Sequence, residues 1–116
     1  MGDGHPFRTR RTKKAVGGTY DEVEFGPILE DRLYHITRYA VEDETSEPTG
    51  DIRCYVKGHG HNHWLVEEDS PTATTLYWDP FPTSLVMGES LVARITGATA
   101  NDVLNLYVEG WWQEQG

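Results

Sequence analysis

The sequence holds a single cysteine, Cys54, so no disulfide can form within the chain. A lone cysteine inside an apolar alternation reads as a small buried hydrophobe. The fold must then rest on packing, metal or partners rather than on covalent staples. Long hydrophobic runs are missing too. No stretch approaches the roughly 20 apolar residues that span a bilayer, which excludes a membrane-spanning helix. The basic residues near the N-terminus are not followed by the apolar run of a signal peptide. The expectation is a chain made in the cytoplasm with no membrane partner. Catalytic patterns are equally scarce. Ser46, Ser70, Ser84 and Ser90 lie in no nucleophile-elbow context, and there is no Gly-rich phosphate loop or CxxC pair. No catalytic residue is assigned, and the expectation is a protein that is not an enzyme.

Positive charge is scarce outside one segment. The net charge is −9, but Arg8, Arg10, Arg11, Lys13 and Lys14 against Asp3 leave residues 1–18 at +4. The five cations and eighteen acids of the remainder leave it at −13. Residues 1–18 also have few apolar side chains and four glycines. Such a composition cannot bury enough surface to offset its ordering entropy, and it predicts a flexible basic arm hinged at Gly17-Gly18. Residues 19–116 then form the single folded domain, since 116 residues suffice for one core and not two.

What is abundant is turn chemistry and period-two alternation. Gly26-Pro27, Asp43 to Gly50, Gly58 to Gly60, Asp69 to Thr72, Asp79 to Pro82, Gly88 and Gly97 to Asp102 punctuate the chain. Between them Ile52, Cys54 and Val56 alternate with Arg53, Tyr55 and Lys57. Leu91, Ala93 and Ile95 do the same, as do Leu104, Leu106 and Val108. Trp64 to Val66 and Thr75 to Trp78 are further strand candidates. Residues 28–36 fit helical spacing as well as a strand, and Thr37, Tyr39 and Val41 favour a strand from about Tyr34 to Val41, entered through a short helical turn. The last two strands, Leu91 to Thr96 and Val103 to Val108, flank a segment suited to a tight reversal. The pattern of about six to eight short antiparallel strands points to an all-β sandwich or barrel, and a jelly-roll-like sandwich is the form expected.

Three features carry candidate chemistry. The first is the arm, whose five cations attract polyanions or an acidic groove on a neighbouring subunit; the acidic body leaves nucleic acid to the arm alone. The second is His59, His61 and His63 at i, i+2 and i+4, which on an extended strand would project from one face about 7 Å apart. With Glu67 they read His-x-His-x-x-x-Glu, which resembles the first half of the cupin metal motif and implies a divalent metal. The motif's glycines, however, fall on Tyr55 and Thr74, and no second motif follows. A Gly-rich hairpin tip with solvated histidines is the alternative, and no cofactor is otherwise expected. A third possibility places the histidines around an oligomer axis, making assembly sensitive to pH near the imidazole pKa of ~6.5. The last feature is aromatic: Trp78 and the adjacent Trp111 and Trp112, of which one should face the core and one a sugar or a partner. The acidic groups at Glu42-Asp43-Glu44 and Glu67-Glu68-Asp69 read as solvated turns.

The run from Pro82 to Trp111 has a Gly88-Glu89 turn, an apolar strand, a Gly-rich loop with Asp102 and a strand ending in Gly110-Trp111. With Tyr34 to Thr45 it covers about a third of the chain. Both stretches resemble small β-sandwich structural proteins of tailed phages and archaeal viruses: head-decoration, minor capsid and neck-associated proteins. The resemblance implies a virion component that forms homo-oligomers and contacts other capsid subunits. An arm of eighteen residues could reach roughly 60 Å to a neighbour. Two other readings stay open, a carbohydrate- or receptor-binding sandwich and a cupin-like metal protein.

Overall fold

The computed structural model describes residues 4–68, 77–79 and 82–115, with residues 77–79 described by backbone pairing alone. Its strands are β1 (His5–Lys14), β2 (Tyr20–Phe25), β3 (Arg32–Asp43), β4 (Ile52–Gly58), β5 (His61–Glu68), β6 (Tyr77–Asp79), β7 (Thr83–Leu85), β8 (Ser90–Thr96) and β9 (Val103–Glu114). They form two antiparallel sheets. One runs β1-β9-β3, with β6 and β7 sharing the far edge of β3; the other runs β2-β8-β4-β5. The pairings are nested: β4 with β5, β3 with β6 and β7, β2 with β8, β1 with β9. This is one long antiparallel hairpin rolled up until β3 meets β9 and β4 meets β8. The result is a jelly-roll β-sandwich. The described residues contain no helix, so none is long and apolar enough to cross a membrane.

The core follows the alternation. Ile52 and Cys54 of β4, Leu91, Ala93 and Ile95 of β8, and Leu104, Leu106 and Val108 of β9 are buried between the sheets. Burying one such Leu or Ile stabilises the fold by roughly 1.5–3 kcal/mol. In β3 the register shifts between Ile36 and Arg38, so both Ile36 and Tyr39 point inward. This bulge breaks the period of two and places Ile36 and Tyr39 three residues apart on one face. The segment forms strand from Arg32 onward with no helical turn. Gly110 lies across from the bulge, where a Cβ would collide with the carbonyl oxygen of His35.

Three expectations need correction. Residues 5–14, expected as a free arm, are the ten-residue edge strand β1, paired along its length with β9. Composition misleads because backbone pairing supplies most of the ordering interactions. Phe7 adds a core contact, with its ring 5.7 Å from Phe25 and 5.2 Å from Tyr34. Gly17, expected as part of a hinge, is held in place. The amides of Val16 and Gly17 donate to the buried Asp21 carboxylate, and that of Ala15 donates to the Asp102 carbonyl at 2.8 Å.

The second correction concerns β8 and β9, which do not pair with one another. The reversal at residues 97–102 carries the chain from one sheet to the other. Gly97, at φ 75°, makes this turn against Thr49, whose Oγ1 a Cβ would strike. The third is Glu42 and Asp43, expected as solvated and found buried, with Asp43 only 1% exposed.

Candidate functional site

All five N-terminal cations lie on β1, which pairs with β9 on one side and with no strand on the other among the described residues. Alternation divides them. Arg8 and Arg10 point to the outer face of the sheet, where Arg8 Nε lies 3.3 Å and Arg38 Nη1 3.1 Å from the two carboxylate oxygens of Glu109. Arg11 and Lys13 point to the opposite side. The Arg11 guanidinium sits 5.4 Å from the Phe25 ring, and Lys13 Nζ lies 3.7 Å from Asp21. Arg10 bonds Tyr107, whose phenol is nonetheless raised by its hydrogen bond to Glu42. A groove of about 440 Å³ on this outer face is lined by Arg8, Arg38, Tyr107 and Glu109. One carboxylate shared by two guanidiniums leaves that surface cationic.

The outer face of the other sheet carries an aromatic and guanidinium ladder. Register places Glu22, Arg94, Arg53 and Glu67 side by side across β2, β8, β4 and β5. Arg94 lies 4.0 Å over the Tyr20 ring and donates to Glu22 at 3.0 Å; Arg53 lies 4.0 Å over Trp64. The Tyr55 phenol is pushed up to about 12, first by burial and then by donating its proton to Glu22. Tyr20 and Trp64 keep 46% and 37% of their surface exposed, although a guanidinium covers one side of each ring. Sequence reasoning passed over both. The signal for Tyr20 was present, since Tyr20, Glu22 and Glu24 alternate with Asp21, Val23 and Phe25, but Asp21 interrupts the apolar side and hid the strand.

Trp111 and Trp112 do take opposite faces, yet both are half-buried and covered. The His35 ring stacks on Trp111 at 3.8 Å. His5 stacks on Trp112 at 4.2 Å, and the Arg32 guanidinium covers it at 3.7 Å. Trp78 belongs to β6 by its backbone, paired with Ala40; its side chain lies outside the described residues.

The histidines are not brought together on one strand face. His59 occupies the β4–β5 turn at φ 55° and approaches Glu89 at 3.8 Å. His61 and His63 are exposed on β5, in register with Gly58 and Val56. A register shift between Cys54 and Tyr55 then turns Glu67 to the other side, opposite Arg53, 3.4 Å away. His63 and Glu67 therefore sit on opposite faces of β5. The described residues contain no group of three or more His, Cys, Asp or Glu placed to hold a metal.

At one end of the sandwich Asp43 meets Asp102. Asp43 accepts the amides of Thr45 and Ser46, and Ser46 Oγ donates to Asp102. Burial, then the neighbouring carboxyl, pushes Asp43 up to about 6, while the hydrogen bond from Asp43 holds Asp102 below the usual carboxylate range.

No protein-family model and no curated protein matches the chain. Solved structures similar to it include an exo-β-1,3-galactanase from Phanerochaete chrysosporium with galactose (TM-score 0.42, 12% identity, 91% of this chain and 29% of that one). A structure described as CBM4 structure and function is also similar (TM-score 0.38, 13% identity, 90% and 82%). So is dimeric latent PorU from Porphyromonas gingivalis (TM-score 0.32, 10% identity, 93% and 13%). The chain spans less than a third of the galactanase. These likenesses assign neither a site nor a ligand.

Proposed function

We propose that the chain is a non-enzymatic structural protein of a virus particle, a decoration, minor capsid or neck subunit, that attaches to neighbouring subunits through its cationic edge. One observation carries this reading: half of the positive charge of an acidic chain lies on a single exposed edge strand. An edge of that length is a liability in a protein that works alone and a docking element in one that assembles. Support also comes from the two stretches resembling virion proteins. They coincide with β3 and with β7 through β9, of which β3, β8 and β9 lie inside the sheets and β7 pairs at the edge of β3. The test is mass spectrometry of virus particles purified from the source organism. Peptides of this chain should band with the particles at stoichiometric amounts; their absence from intact particles overturns the reading.

A second reading is favoured by the exposed Tyr20 and Trp64 rings. A carbohydrate or receptor could stack on the sides that Arg94 and Arg53 leave uncovered. Binding on a glycan array that is lost in Trp64→Ala would support it.

A further inference from the structure

We infer that the free edge of β1 accepts an extended acidic polypeptide segment of a neighbouring subunit as an added β-strand; this deepens the assembly reading above and rests on it. Within the sheet the charge of β1 is largely unmatched, although Lys13 reaches Asp21 across the sandwich. The partner that β1 already has supplies almost no counter-charge. Across from Arg10, Arg11, Lys13 and Lys14 stand Tyr107, Leu106, Leu104 and Val103, and only Arg8 faces an acid, Glu109.

The distribution of the cations then selects the occupant. Successive strand residues point to opposite faces, so Arg10-Arg11 and Lys13-Lys14 each place one charge on either side of the sheet. A polynucleotide laid on the outer face would reach the cations of that face and miss Arg11 and Lys13, which point to the side of Phe25 and Asp21. A strand lying in the plane of the sheet reaches both sets, provided that it carries carboxylates at consecutive positions. Main-chain hydrogen bonds would supply affinity, and the alternating charges would set the register.

A second copy of β1 is excluded as the occupant by the same charges. Antiparallel self-pairing would bring arginines and lysines directly opposite one another, which destabilises a sheet. The cations thus guard the edge against its own kind while leaving it open to an acidic strand.

The test uses the whole chain and three dye-labelled probes, followed by fluorescence anisotropy at low ionic strength. The first is a decapeptide in which pairs of glutamates alternate with threonine and valine. The second has the same sequence with alternate backbone nitrogens methylated, which keeps the charge and removes the donors of one edge. The third is a ten-nucleotide oligothymidylate. The unmodified peptide should bind at least about tenfold more tightly than the methylated one, and Arg10→Glu/Arg11→Glu should weaken it by a similar factor. Equal binding of the two peptides, preferential binding of the oligothymidylate, or no peptide binding by the folded wild-type chain would each overturn the inference. Failure here with the chain still found in virus particles removes the strand addition and leaves the assembly role. Peptide binding by a chain absent from particles does the reverse.

Discussion

Asp43 and Asp102 present their carboxyls to one another at the end of the sandwich, and among the described residues no hydrogen-bond donor faces the buried Oδ2 of Asp43. Two carboxylates at such a contact need a shared proton. The folded-state pKa of Asp43 is raised to about 6, so its stabilising proton is fully held below the ordinary Asp value and lost as pH rises through about 6. The lowered Asp102 contributes in the opposite sense, losing its part only as pH falls through its depressed value. Stability should therefore decline between about pH 4 and 6, by on the order of 2 kcal/mol, and level off above that. Asp43→Asn keeps the hydrogen bond without the charge. Chemical denaturation across that range should show the decline in the wild type and its loss in Asp43→Asn, which should be the more stable protein at pH 7.

Gly110 sits where β9 passes the β3 bulge. Gly110→Ala drives a methyl group into the His35 carbonyl, a backbone atom that cannot rotate away. The cost should be about 1–3 kcal/mol, the range for overpacking, read as a lower denaturant midpoint with an unchanged slope.

Arg94 ties the outer ladder together through Glu22 and the Tyr20 ring. Arg94→Ala should cost about 1–2 kcal/mol through lost packing and the loss of the guanidinium from Glu22, which keeps only the Tyr55 hydroxyl. It should also raise the Tyr55 phenol slightly further, because the Arg94 charge opposes the rise that burial and Glu22 produce. Denaturation and spectrophotometric titration of the tyrosines provide the two readings.

Cys54 is fully buried in β4. Its thiol should react with an aromatic disulfide reagent only after the chain opens, at a rate that follows unfolding. Rapid labelling of the folded protein would show that β4 is not in the core.

Much of this architecture was legible in the residues. The alternations at Ile52 to Val56, Leu91 to Ile95 and Leu104 to Val108 record burial between two sheets, and burial is what hydrophobic periodicity measures. What periodicity cannot record is pairing. Nothing local to Leu91 or Leu104 tells that β8 and β9 belong to different sheets, because the choice is made by the rolled topology. Polar residues facing inward hid strands as well: Asp21 masked β2, and the cations masked β1, whose order comes from the main chain. The candidate site was therefore legible as a cluster of charge and illegible as an edge. His63 and Glu67 were illegible as residues of opposite faces for a local reason of the same kind, since one register shift in β5 moves Glu67 to the far side from His63.

Backbone hydrogen exchange across residues 5–14 of the free protein tests the central claim most directly. A strand paired with β9 and open on its other side should show alternation, with protected amides facing β9 and fast-exchanging amides facing solvent. Uniformly fast exchange would mean that the segment is a loose arm, and uniform protection would mean that its outer side is already covered. Either result would contradict an open cationic edge.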